Sequence, residues 1–452
     1  MVKIGLEIHG YILTKEKLFC ECKAEHGLKY FKPNTNICGI CTAQPGAKPM
    51  LPNKTAVEKA IQIALILDCK INEKLTWQRK HYDWPDLPKG YQNTISGPYS
   101  TPTGVNGHFL GISITECHLE EDPAAWNPLT GEIDYNRSGS PLIEIVTEPD
   151  FKTAEQTVEW VKQLSIALGY IKAIDKSSGL KADVNISIPK GERIEVKNIN
   201  SLKNIKQAIE YEIKRQGQEL PKIKETRMFD EKKGVTIKMR SKENADDYRF
   251  ISDPDLPTIK IDKSKIEKIK KALPEIPQEK IKRLIKKHKI EKTSAEILTK
   301  NLEVVEFFEK VVEKINPKLA VPWITVELLR ALNYEKKALE EVEINPLHFI
   351  ELLKLVEQKK ITELKAKEIL NKFMPKSFSP KEEAKNNAKI SGEEEIEIFA
   401  KQVIEENKKA VEDYQSGKKE SLNFLIGQLM KLSNKRADFK TAREVIEKIL
   451  KD

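Results

Sequence analysis

The chain has 452 residues, room for two or three domains with cores of their own. Its 78 Lys and Arg against 69 Asp and Glu leave a net charge of +9, which suits a polyanionic partner but is small beside the total. No uncharged apolar run could cross a bilayer, and MVKIGLEIHGYIL lacks an apolar signal core, so a soluble, cytoplasmic protein without a membrane role is expected. GLEIHGYIL reads as the first strand, with Glu7 and His9 on one face and Leu6 and Ile8 on the other. Directly after it, FCECKAEHGLKYFKPNTNICGIC holds four of the six cysteines, as a C-x-C and a C-x-x-C pair fifteen residues apart. Four thiolates on two short knuckles, the second turned by Gly39, predict a structural, tetrahedral zinc on Cys20, Cys22, Cys38 and Cys41. A complete thiolate set leaves no position for a reacting water, so the loop is expected to be a clamp. Free thiols or redox chemistry are the alternative for the cluster. His26 reads as a surface residue of the loop, and Cys69 and Cys117 as small core residues.

Helical periods follow at Thr55–Leu67, Thr153–Leu168 and Ile205–Gln216, among short runs such as FLGISITECHL, PLIEIVTEP, KADVNISI and GVTIKM. These elements do not alternate regularly, so the expected class to about Pro257 is α+β with a largely antiparallel sheet, not a doubly wound one. From Lys263 onward apolar residues recur at helical spacing among many Lys and Glu, as in EKIKRLIKKH and AREVIEKIL. Asn386–Gly392 (NNAKISG) breaks that period. The expected partition is 1–262, 263–385 and 386–452.

Common nucleotide and protease motifs such as G-x-x-x-x-G-K-[ST], G-x-G-x-x-G and H-E-x-x-H are missing. Acidic residues recur at strand positions instead. In ITECHLEED, His118 and Glu120 share a face and Glu121 and Asp122 follow; in PLIEIVTEPD, Glu144 and Glu148 share a face. Asp183, Asn185 and Ser187 alternate with apolar residues in KADVNIS, and in IEVKNINS Glu195 and Lys197 share a face with Asn198 and Asn200 on the other. Carboxylates gathered on one sheet need cations to offset them, which suits Mg²⁺ and substrate phosphates. Arg79, Lys80, Lys89, Arg137 and Lys197 are the basic residues available to stabilise transferring phosphoryl charge. For any single carboxylate the plainer reading is a solvated strand face; the expectation of a site rests on five segments behaving alike.

GLEIHGYIL, NTNICGICTAQPGAKP, DLPKGYQ, HLEEDPA, IDYNRSGSPLIEIVTEPD, ADVNISI, EVKNINSLK, ETRMFD and MRSKENADDYRFISDPDLP together resemble the B subunit of the tRNA-dependent aspartyl/glutamyl amidotransferases, an archaeal-type member. The helical end, with LNFLIGQLMKLSNKRADFKTAREVIEKIL, resembles that family's tail less literally. The resemblance implies an antiparallel cradle related to glutamine synthetase and guanidino kinases, then a helical domain and a small tRNA-binding tail. It implies ATP- and Mg²⁺-dependent phosphorylation of Asp or Glu misacylated on tRNA, then amidation by ammonia from an A subunit, with a C subunit completing a heterotrimer. Carried onto this chain, Glu7, His9 and Glu121 match the Mg²⁺ and catalytic positions, with Glu120, Glu148 and Asp183 less firmly matched. Cys20, Cys22, Cys38 and Cys41 match a zinc loop. DYRFISDPDLP departs from the commoner DYRYFPEPDLP by one proline and one ring, which bears on a turn and not on the chemistry.

A second reading is a non-catalytic, zinc-containing tRNA scaffold, in which the acidic strands are structural and the lysine-rich helices carry the contacts. The order of the acidic positions and their basic neighbours favours the enzyme. A closed thiolate set disfavours a zinc hydrolase.

Overall fold

The computed structural model describes residues 1–24, 32–175, 178–241, 248–390 and 392–450, so His26 lies outside the described residues. These form two compact units, Met1–Pro277 and Gln278–Asp452. The architecture is mixed α+β: a large, mainly antiparallel sheet in the first unit, helices in the second.

The first unit opens with β1 (Lys3–Tyr11), α1 (Lys54–Ile66), β2 (Lys70–Ile71), β3 (Lys74–Leu75), β4 (Gln78–His81) and β5 (Gln92–Thr94). Then come β6 (Gly104–Phe109), β7 (Ile112–Glu121), β8 (Ala125–Trp126), β9 (Ile133–Asp134), β10 (Pro141–Thr147) and α2 (Ala154–Tyr170). It closes with β11 (Leu180–Ser187), β12 (Ile194–Ile199), α3 (Leu202–Gln218), β13 (Glu225–Asp230), β14 (Val235–Ser241), β15 (Arg249–Ser252), β16 (Ile259–Lys260) and α4 (Lys263–Ala272). The main sheet runs β14-β13-β12-β11-β1-β10-β7-β5-β4-β15, with β6 added on β7 and β2 on β6; among the described residues of this sheet only β12 and β13 pair in parallel.

Side chains supply the helix starts. Asn53, Thr153 and Ser201 each accept from a backbone N–H of the first turn of α1, α2 and α3, groups that otherwise lack a partner. The apolar halves of the alternating strands, among them Ile4, Leu6, Ile8, Ile143, Ile145, Val184 and Ile186, pack with these helices into one core. Each such side chain contributes roughly 1.5–3 kcal/mol of burial. Cys69 and Cys117 are buried in it. Gly107 lets β6 press on the turn after α1, since a Cβ there would lie 2.4 Å from the Cys69 Sγ. α4 has the same Lys-rich period as later helices, yet Ile266 and Ile269 pack on this first core.

In the second unit Phe307, Phe308, Phe349 and Phe373 are buried among the helices that precede residue 386. A separate cluster, including Ile396, Leu425, Leu429, Val445 and Ile446, forms the core of the last segment. The helix Lys381–Asn386 ends at the expected break, and Glu393–Glu406 begins the next. Among the described residues no helix is long and apolar enough to cross a membrane.

Candidate active site

Strand pairing decides which polar side chains meet. β1 lies between β10 and β11, so Glu7 pairs with Asp183, and His9 pairs with Glu144, which in turn pairs with His118 of β7. Because residues two apart share a face, one face of the sheet carries all of these with Glu120 and Glu195. Two triads result, His9–Glu120–Glu144 and Glu7–Asp183–Glu195, and within each the ligand-type atoms lie within 4.8 Å of one another.

The two triads are balanced differently. Lys197 Nζ lies 2.7 Å from both Asp183 and Glu195 and 3.9 Å from Glu7, so one ammonium faces three carboxylates. Burial raises the Glu7 pKa, and although Lys197 lowers it, Glu144, Glu195 and Asp183 add to the rise. Around the other triad, His118 stands 3.1 Å from Glu144 and 3.0 Å from Glu116, and His9 is 3.6 Å from Glu144 and 3.9 Å from Glu120. Burial disfavours both imidazolium ions, yet facing Glu144 and its neighbours holds His9 up at about 9 and His118 at about 10. Burial also pushes Glu120 up, while the two histidines overcome it at Glu144 and hold that carboxyl well down. A hard divalent cation would relieve the carboxylate crowding in either triad.

The face opens into a cavity of about 610 Å³ lined by His9, Lys80, Glu120, Arg137, Asp183 and Lys197, among others. Arg137 Nε lies 3.0 Å from Asp122, whose carboxylate also accepts from the Tyr11 hydroxyl at 2.6 Å. The positive φ of Asn198, +57°, interrupts the alternation of β12 and brings Asn198 into this wall, with its N–H on Asp183 at 2.7 Å.

The cysteines converge as well. The Sγ atoms of Cys20, Cys22, Cys38 and Cys41 all lie within 4.8 Å of one another, and Cys38 and Cys41 are 3.9 Å apart. Metal–sulfur bonds of about 2.3 Å in a tetrahedron give sulfur separations of about 3.8 Å, so the donor set fits a four-thiolate metal. The Cys38 N–H donates to Cys41 Sγ at 3.2 Å. The Cys20 hydrogen bond, more than burial can offset, draws the Cys41 thiol down to about 4.

This chain resembles known proteins along nearly all of its length. The family description GatB/GatE catalytic domain matches residues 2–267, and a second, GatB domain, matches 306–450. The B subunit of the aspartyl/glutamyl-tRNA(Asn/Gln) amidotransferase of Methanocaldococcus jannaschii is 44% identical over 471 residues, covering 99% of this chain and 98% of its own. Proteins of the same name from Methanothermobacter thermautotrophicus and Methanopyrus kandleri are each 42% identical, covering 99% and 97% of this chain and 99% and 96% of their own. The chain belongs to the family of aspartyl/glutamyl-tRNA amidotransferase B subunits.

For this member of the B-subunit family the structure sorts the sequence-derived residues into groups. Glu7, His9, Glu120, Asp183 and Lys197 meet at the two triads, and Lys80 and Arg137 line the cavity beside them. Glu121 follows Glu120 directly and points to the other side, where it pairs with Lys89 and accepts from the Asn93 N–H at 3.0 Å. That side also holds Arg79 on Asp253 and Asp255, and Lys48 on Asp255. Among the described residues that side sets three cations against three carboxylates, whereas Lys197 lies against Glu7, Asp183 and Glu195 together. Glu148 is exposed and hydrogen-bonds Thr115 at 2.8 Å, because a register shift between Val146 and Thr147 takes it off the face that Glu144 shares with His9. Glu144, Glu195, His118 and Glu116 are the residues that sequence reasoning left out of the site. The signal for Glu144 and Glu195 was the same alternation; what selected them was strand register.

Proposed function

We propose that this chain is the kinase-like subunit of a tRNA-dependent amidotransferase, a carbon–nitrogen ligase. It would take Asp or Glu misacylated on tRNA(Asn) or tRNA(Gln), transfer the ATP γ-phosphoryl group to the side-chain carboxylate, and let ammonia displace phosphate to give the amide. The observation that carries this reading is the pair of carboxylate-rich triads facing one cavity with basic residues at its rim. A carboxylate resists attack by ammonia, and an acyl phosphate does not; the protein's task is to bring two anions together.

His9, Glu120 and Glu144, and Glu7, Asp183 and Glu195, have the donors for magnesium. When bound there, Mg²⁺ would offset phosphate charge and orient the transferring group. Lys197 holds Glu7, Asp183 and Glu195 in place; Lys80 and Arg137 are at hand for ATP or the substrate carboxylate. The reverse-side Arg79, Lys89 and Glu121 support the strand ends from behind. Of the residues assigned by resemblance, Glu121 and Glu148 thus fit a supporting or peripheral role better than a catalytic one. The likeness of the cradle to glutamine synthetase and guanidino kinases belongs to the same reading.

The four thiolates suit zinc as a closed structural site. Elemental analysis of protein made with zinc supplied should find about one ion per chain. Ammonia would come from a glutamine-hydrolysing A subunit, with a small C subunit joining the two. Residues 386–452, with a core of their own, would serve as a tRNA-binding tail, and the work on charged tRNA belongs in the cytoplasm. The test is Glu7→Gln in the assembled complex. Amide formation should be lost even with ammonium as donor, while glutamine hydrolysis persists. Full amide formation from ammonium by that variant contradicts the reading.

A further inference from the structure

The metal loop and the cavity are joined by an unbroken series of direct bonds. Residues 32–36 lie between the two cysteine pairs and run beside 133–139, the segment that bears Arg137. The Asn34 side chain acts as a strand partner: its Nδ2 donates to the Ile133 carbonyl at 2.9 Å, and its Oδ1 accepts from the Tyr135 N–H at 2.7 Å. Its φ of +58° belongs to the left-handed region that Asn tolerates. One residue pair further, the Asn36 N–H donates to Asn136 Oδ1 at 2.8 Å, and Asn136 Nδ2 donates to the Lys32 carbonyl at 2.9 Å.

Lys17, almost fully buried, closes the junction by donating to the Asn36 and Tyr135 carbonyls at 3.2 and 3.3 Å. The segment is also bonded to the chain that leads into the first knuckle, since the Leu18 N–H donates to the Gly139 carbonyl at 2.8 Å. On its far side, Arg137 donates to the Pro123 carbonyl at 2.9 Å and the Ala124 carbonyl at 2.7 Å besides meeting Asp122. The Gly139 N–H donates to the Asp122 carbonyl at 2.9 Å. Residues 122–124 continue directly from the end of β7 at Glu121 and line the cavity at Asp122 and Pro123.

We propose that the four-thiolate loop is a positioning device for the cavity: through Asn34, Asn36 and Lys17 it fixes the Arg137 segment against the 122–124 wall. Asn34 is a positioning residue, acting through Arg137. The consequence for turnover rests on the amidotransferase reading; the mechanical coupling does not. A metal that only stabilised its own loop would need none of these cross-bonds.

The test uses Asn34→Gly in the assembled complex, since glycine keeps the positive φ and removes only the clasp. The variant should retain its zinc. Amide hydrogen exchange at Tyr135, Ser138 and Gly139 should quicken by about tenfold or more. The KM for ATP in ammonium-supported amide formation should rise about fivefold, the worth of one net hydrogen bond, with kcat within about twofold. Asn34→Asp, which keeps the acceptor for Tyr135, should recover part of both effects. Chelation of the wild-type complex should raise exchange in the same residues. Unchanged exchange at 133–139 in the zinc-loaded Asn34→Gly variant overturns the proposal, and so does quickened exchange with KM unmoved. If wild-type complex makes no amide while the exchange coupling holds, the amidotransferase reading fails and the coupling stands.

Discussion

The same residue types do opposite things in the two compact units. In the first, Glu7, Asp183 and Glu195 surround the Lys197 ammonium in a setting where burial, with the neighbouring carboxylates, moves Glu7 upward. In the second, Glu397 pairs with Lys401 four residues on at 2.7 Å, with side chains 42% and 67% exposed, and the hydrogen bond from Lys401 simply holds the carboxyl below its ordinary range. Water solvates the second pair whether or not it forms, so it contributes little. The buried set has no such alternative, and a cation would relieve its crowded carboxylates. Counting acidic residues separates nothing here; how deeply each one is buried among other carboxylates does.

The largest expected effect sharpens that contrast within one sheet. Glu144→Gln, which removes the carboxylate shared by both histidines, should lower ammonium-supported amide formation by at least about a thousandfold. Glu121→Gln, in the charge-balanced network behind it, should cost only about tenfold or less, read as kcat/KM for ATP. Equal losses would dissolve the distinction between the two sides. Next in size, deleting residues 386–452 should weaken charged-tRNA binding by about tenfold and flatten its dependence on salt, since phosphate contacts release counterions. Unaltered binding by the shortened chain in complex would remove the tail from the account.

A pH effect follows from His9. It is raised from 6.5 to about 9 despite burial, so its proton stabilises the metal-free chain fully below pH 6.5, and that contribution is lost as pH rises through about 9. The thermal midpoint of metal-free protein should fall across this window, and His9→Gln should flatten the fall. An unchanged slope would detach His9 from the charge cluster. Smallest of all, Glu397→Gln should leave both melting and activity where they were.

Much of this was legible beforehand, for identifiable reasons. Helix periods placed α1, α2 and α3 within a few residues, because an apolar stripe is a local signal. The thiolate loop was legible from spacing alone. Alternation put Glu7 with His9, and Asp183 with Asn185, on shared faces. It could not say which strands are neighbours, so Glu144 and Glu195 went unselected until β10 and β12 flanked the β1–β11 pair. It also assumed unbroken strands. A register shift after Val146 moved Glu148 away, and the positive φ at Asn198 brought in a residue expected on the other face. Glu120 and Glu121 show the limit most sharply, since neighbours in a strand look equivalent in sequence and face opposite sides in the sheet.

The central claim is that this sheet face moves a phosphoryl group onto a carboxylate of the tRNA-linked amino acid. It is tested most directly by labelling that side-chain carboxylate with ¹⁸O and turning over the complex once with ATP, Mg²⁺ and ammonium. If the carboxylate attacks the γ-phosphorus and ammonia then displaces phosphate, one labelled oxygen leaves with each phosphate per amide formed. The Glu7→Gln complex should transfer none. Amide formation by the wild-type complex with unlabelled phosphate would contradict the account.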